Sequence, residues 1–171
     1  MSFTTRRLAL LLTALLALHA PASRAAPGPG DVPPPDIGHT LDGDEILLSA
    51  YAGKAVVVTF WATWCPYCLK ELPILENLQE KVGKDQIEVI AINTEKREVF
   101  RRATRLMSKG MQLEFVSDAD GRAQQAFCVA GLPHMLIIGR GGRIVKVYRG
   151  YSEKKLDDIV ADINRALQPA P

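Results

Sequence analysis

Two cysteines separated by Pro66 and Tyr67 sit where a buried apolar run gives way to a helical pattern. That junction restricts the fold more than any other feature of the 171-residue chain. Residues 55–61 contain Val56, Val57 and Val58 without alternation, the pattern of a strand covered on both faces. From Pro66 the apolar positions Leu69, Leu72, Leu75, Leu78 and Val82 recur at helical spacing as far as Gly83, and Pro73 within the segment predicts a kink. Cys65 therefore falls at a helix start, where unpaired amides and the helix dipole favour a thiolate. Such a position lowers a cysteine pKa from about 8.5 to somewhere between 3.5 and 7.5. Pro66 suits the first turn because its missing N–H is not needed there. Cys68 lies on the same side, one turn deeper. An exposed Cys65 thiolate could attack a disulfide, and Cys68 could then release the mixed disulfide.

The third cysteine, Cys128, stands alone, which excludes a disulfide-stapled scaffold. A C-x-x-C loop is too short to add much chain-entropy stabilisation, so the pair reads as reactive. The leader reads as export: Arg6 and Arg7 close a polar start, residues 8–18 are apolar apart from Thr13, and small residues follow. A signal peptide over residues 1–25 is expected, with cleavage after Ala22 or Ala25. The apolar run is shorter than the roughly 20 residues that span a bilayer. Residues 26–171 carry 18 basic and 19 acidic side chains, a net of −1, so the field that nucleic-acid binders use is missing.

The Pro/Gly-rich segment 26–36 reads as an extended tether, and a domain over residues 37–168 is expected to follow. Residues 38–48 read as a hairpin around Asp42-Gly43, and residues 87–92 and 113–116 as further strands. A helix is expected over residues 95–109, burying Val99, Phe100, Ala103, Leu106 and Met107, and a short one over residues 122–127. Residues 135–138 and 144–148 flank a glycine-rich turn, and Ser152 is placed to cap a last helix through Leu167. The order of elements predicts an α/β domain with a mixed central sheet, helices on both faces and an N-terminal β-hairpin extension.

The block Phe60-Trp61-Ala62-Thr63-Trp64-Cys65-Pro66-Tyr67-Cys68, with Glu71 and Pro73 after it and Gly131-Leu132-Pro133 later, resembles the TlpA/ResA-like branch of the thioredoxin superfamily, the exported disulfide oxidoreductases. The resemblance covers about residues 35–167. It implies a thioredoxin fold, a redox-active disulfide between Cys65 and Cys68, a nucleophilic Cys65 and a resolving Cys68. It implies also a cis-proline at Pro133 facing the pair, peptide-binding backbone at Leu132, and an active-site glutamate at Glu71. Trp64, Pro66 and Tyr67 would line the substrate groove, with Trp61 as a further wall. Thr59 stands where thioredoxins themselves carry a buried Asp, which leaves Glu71 as the nearby base. The expected function is reduction of disulfides in exported, periplasmic proteins, among them apocytochromes c. The expected partners are those substrates and a membrane-bound thiol donor, with no nucleic acid, cofactor or metal, and the chain acting as a monomer.

Plainer readings stand beside these. Cys65, Cys68 and His134 could form a copper or zinc site in a metal-binding chaperone, although a His opening a strand is more often structural. Glu71 could be a solvated acid, Cys128 an inert buried thiol, and the Arg97, Arg101, Arg105 and Lys109 stripe a solvated helix face. The P-x-x-x-T-x-x-C pattern of a peroxidase is missing around Cys65.

Overall fold

In the computed structural model, which describes residues 25–169, the valine run becomes the third of seven strands. Chain order is β1 (Asp36–His39), β2 (Glu45–Leu47), a 3-10 turn (Leu48–Tyr51), β3 (Ala55–Trp61), α1 (Pro66–Val82), β4 (Ile87–Asn93) and α2 (Arg97–Met107), then β5 (Glu114–Ser117), α3 (Arg122–Ala126), β6 (His134–Ile138), β7 (Ile144–Arg149), a second 3-10 turn (Glu153–Lys155) and α4 (Leu156–Ala166). Residues 1–24 of the expected leader, with the cleavage expected after Ala22, lie outside the described residues, and nothing in the structure bears on cleavage after Ala25.

All seven strands share one mixed sheet in the order β2-β1-β5-β4-β3-β6-β7. β3, β4 and β5 run parallel, while β6 and β7 pair antiparallel, as do β1 and β2. The parallel crossovers place α1 and α2 on one face, where Leu72, Leu75 and Phe100 pack with Ile159 and Ile163 of α4 against Val57, Trp61 and Ile137. The opposite face buries Val56, Val58, Phe60 and Leu136 beneath Ala123 and Phe127. The α/β class and mixed sheet match the expectation, and β1 and β2 form the N-terminal hairpin extension. Gly38 is required there: its φ is +115° and a Cβ would strike the Ser117 carbonyl.

Some local expectations fail for physical reasons. Segment 26–36 is not a free tether: Gly30 N donates to Ile144 O (2.8 Å), Ile144 N to Asp31 O (2.9 Å), Leu48 N to Pro35 O (2.9 Å), and Pro33 and Pro34 are buried. The exposed backbone of β7 supplies a partner that composition cannot reveal. Ser152 makes no side-chain cap, because a 3-10 turn separates it from α4. Leu69, Val99 and Leu106 face outward rather than into the core. Cys128 is half-buried, not buried, and takes a φ of +53°. A side chain in this left-handed region costs roughly 1 kcal/mol that glycine avoids. Cys128→Gly is therefore expected to raise stability by up to about 1 kcal/mol, after the larger chain entropy of unfolded glycine is set against it, and Cys128→Ala to give no gain. Urea midpoints of the two variants under reducing conditions check this.

Candidate active site

β3 ends at Trp61, and the chain turns through residues 62–65 into α1 at the carboxyl end of the parallel strands, where open α/β sheets place their sites. Cys65 is the N-cap of α1, and its Sγ accepts a hydrogen bond from the Cys68 backbone N–H (3.2 Å). That amide is one of the helix's unpaired donors and would stabilise a thiolate after reduction. Cys65 and Cys68 are joined in a disulfide, with Cα atoms 5.3 Å apart. Cys65 keeps 4% of its surface accessible and Cys68 none. The two thiols are thus ordered in depth as the sequence implied, but Cys65 is recessed rather than exposed.

The turn into the helix is held from the end of β4 and the loop after it. The Thr63 N–H and hydroxyl both donate to Glu95 (2.6 and 2.9 Å), and Asn93 Nδ2 donates to the same carboxylate (3.3 Å). Thr94 N donates to Trp61 O (3.1 Å). Sequence reading missed Glu95 as a clamp on the loop before Cys65, because a contact across 32 residues leaves no periodic signal.

Glu71 lies one turn after Cys68, on the buried face of α1 and 5% exposed. Side chains at this spacing have Cβ atoms about 5–6 Å apart. Burial pushes the Glu71 carboxyl from its ordinary 4.5 up to about 7, against the lowering effect of the Thr59 hydroxyl, which donates to it at 2.7 Å. The position that holds an Asp in thioredoxins thus supplies, as Thr59, the hydrogen bond that holds Glu71. A solvated surface acid does not describe it.

Trp64 is 69% exposed beside the dithiol, with Pro66 and Tyr67 also on the surface. Tyr67 stacks on Tyr151 of the loop after β7 (centroids 6.0 Å, 24° between planes), and Lys70 Nζ lies 6.0 Å from the Tyr67 ring centre. Tyr151 is a second residue that sequence reading missed. Trp61, expected as a groove wall, is fully buried instead and meets Phe115 edge-on at 6.0 Å. The Leu132–Pro133 bond is cis. Pairing of Phe60 with His134 places it at the end of the sheet where Cys65 sits.

His134 does not join the thiols. Strand alternation turns it to the opposite face, where it lies edge-on to Phe60 at 6.1 Å, while Met135 and Ile137 share the layer of Cys65 and Cys68. Burial, with the Arg149 charge adding to it, pulls the His134 pKa down to about 4 and keeps the ring neutral. The three-ligand site of the chaperone reading is therefore not assembled. Among the described residues no group of three His, Cys, Asp or Glu side chains is placed to hold a metal.

A disulfide on a helix N-cap, its first cysteine just reached by solvent and its second fully buried, carried on a mixed sheet with a cis-proline at the same end, defines a thioredoxin-fold thiol-disulfide oxidoreductase. The Redoxin family profile matches residues 28–167, and the chain belongs to that family. It is 31% identical over 128 residues to the thiol-disulfide oxidoreductase ResA of Geobacillus thermodenitrificans, covering 74% of this chain and 72% of that one. To ResA of Bacillus subtilis it is 32% identical over 109 residues, 64% of this chain and 60% of that protein's length. A crystal structure from Chlorobium tepidum, described as a putative thiol:disulfide interchange protein DsbE, superposes with a TM-score of 0.72 at 22% identity, over 84% of this chain and all of the other; at that identity the likeness concerns the fold.

Proposed function

We propose that this protein works as a reductase of disulfides in exported proteins, in the periplasm or an equivalent space. The exchange chemistry in this reading is carried by one observation: the depth order of Cys65 and Cys68 at the helix N-cap. In the reduced protein the Cys65 thiolate attacks one sulfur of a substrate disulfide, forming a mixed disulfide and expelling the other substrate sulfur as a thiolate. Cys68, losing its proton, then attacks Cys65 Sγ and expels the second substrate sulfur, so two electrons pass to the substrate and the Cys65–Cys68 disulfide closes. Glu71 takes the Cys68 proton, a task suited to a carboxyl whose pKa is raised to about 7. Trp64, Pro66, Tyr67 and the Leu132-Pro133 backbone receive the substrate peptide. A membrane-bound thiol donor restores the dithiol. Apocytochrome c with its cysteine pair belongs to the substrate class, and the signal-like leader supports export.

Direction of flow rests on a balance. The helix N-terminus stabilises the Cys65 thiolate and favours an oxidant, whereas an ionised Glu71 beside the pair repels a thiolate and favours a donor. The resemblance to the TlpA/ResA-like branch supports the donor. Equilibration against glutathione is expected to return a potential of about −200 mV or below; one near about −120 mV, the range of strong oxidants, would overturn the reductase reading.

A further inference from the structure

The charge on α2 plays no part in the dithiol chemistry. Residues 96–109 carry six basic side chains against Glu98 alone, a net of +5, while the rest of residues 26–171 is net −6. Arg97 is partly used, donating to Leu41 O at 3.2 Å. Arg101, Arg102 and Arg105 are exposed and enter no ion pair among the described residues. With Glu98 and Leu106 they line a shallow groove of about 510 Å³.

Two aliphatic side chains border this charge. Leu106 is 68% exposed, and Val99 is exposed as well. At 3.6 residues per turn they lie within about 20° of each other around the helix, with Arg102 beside them. The inner side of α2 buries Phe100 and Thr104, with Ala103 and Met107 packed partly against the core, and the outer face is uncovered. A solvated face accounts for the arginines but not for the aliphatic strip beside them. Arg102 lies next to the aliphatic pair and Arg105 and Arg101 follow on the same side, and guanidinium groups flanking an aliphatic strip suit a helix that lies in a lipid headgroup layer.

We propose that the outer face of α2 docks on an anionic lipid surface, with Arg101, Arg102 and Arg105 on headgroup phosphates and Val99 and Leu106 entering the headgroup layer. Charge complementarity selects this occupant. Cations spread from Arg97 to Arg105 along roughly 12 Å of convex helix match a continuous plane of charge better than a compact acidic site. The negative remainder of the molecule is repelled by the same plane, which confines contact to α2. The inference goes beyond the redox reading and does not depend on it, since none of these residues belongs to the dithiol site.

The test compares the purified full chain with the Arg101→Ala/Arg102→Ala/Arg105→Ala variant on vesicles of phosphatidylcholine with or without 30% phosphatidylglycerol at low salt. The leader common to both proteins cancels in the comparison. The wild-type protein is expected to prefer the anionic vesicles, with the preference fading as salt rises. The variant is expected to lose roughly 150-fold in anionic partitioning, three charges at about 1 kcal/mol each, while reducing insulin at the wild-type rate. The triple lysine variant should retain most of the binding, and Leu106→Ser should weaken it. Equal partitioning of wild type and alanine variant on anionic vesicles, or no anionic preference in the wild type, overturns the proposal. So does tighter binding to a polyglutamate peptide that is indifferent to Leu106→Ser, which would assign the face to an acidic protein.

Discussion

Cys65→Ser is expected to abolish insulin reduction, a loss of at least about 10³-fold, because it removes the sulfur that an incoming disulfide can reach. Cys68→Ser is expected to fail in a different way. Its Cys65 thiolate still attacks, but the sulfur one turn deeper is gone, so the mixed disulfide accumulates and is visible as a covalent adduct by mass spectrometry. The asymmetry follows from the structure: Cys65 is the N-cap with some accessible surface, and Cys68 has none. In the reduced wild-type protein Cys65 should likewise be the thiol alkylated first below pH 8. A Cys128→Ser background removes the one free thiol among the described residues from the assay. Adducts trapped on Cys68 in the Cys65→Ser protein, and none on Cys65 in the other, would reverse the roles.

Strands and turns were the legible part of this fold, since a seven-residue run buried on both faces, as in β3 and β4, shows directly in composition. The inner face of α1 was less legible. Apolar periodicity points to Leu69, yet the helix buries Glu71, Glu76 and Gln79 with Leu72 and Leu75. Those polar side chains are tolerated because other segments supply partners: Gln112 N donates to Glu76 (2.9 Å) and Val89 N to Gln79 (2.7 Å). A buried carboxylate with one oxygen, Oε1, paired to a backbone amide 36 residues away and Oε2 left without a protein partner is invisible to any local pattern.

The same distinction runs through the site. Cys65, Pro66 and Cys68 are local, and their helix-start setting could be read residue by residue. Pro133 needed the family resemblance, because nothing within the chain marks an X-Pro bond as cis. Thr59, Glu95 and Tyr151 became visible only when β3, the loop after β4 and the loop after β7 were brought to one end of the sheet. His134 shows the converse, a residue adjacent to Pro133 in sequence that the pleat turns to the other face.

Glu71→Gln is expected to change how stability depends on pH. Below pH 4.5 the carboxyl is protonated in both the folded and the unfolded chain, and its burial carries no ionic penalty. As pH rises the unfolded chain ionises first, and the folded protein holds its proton until about pH 7. Folding stability therefore falls across that window, by on the order of 3 kcal/mol for a shift of this size. Glutamine keeps an acceptor for the Thr59 hydroxyl but cannot ionise, so the variant's stability should stay flatter from pH 4 to pH 8 and exceed that of the wild type at the alkaline end. Urea midpoints of the oxidised proteins at several pH values measure the difference. Parallel curves for the two proteins would show that Glu71 does not hold its proton near neutrality, and would remove the basis for its role as proton acceptor to Cys68. If the curves diverge as expected, the rate of mixed-disulfide release should also lose an inflection near pH 7 in the variant, since the group that becomes a competent base there is the one that glutamine removes.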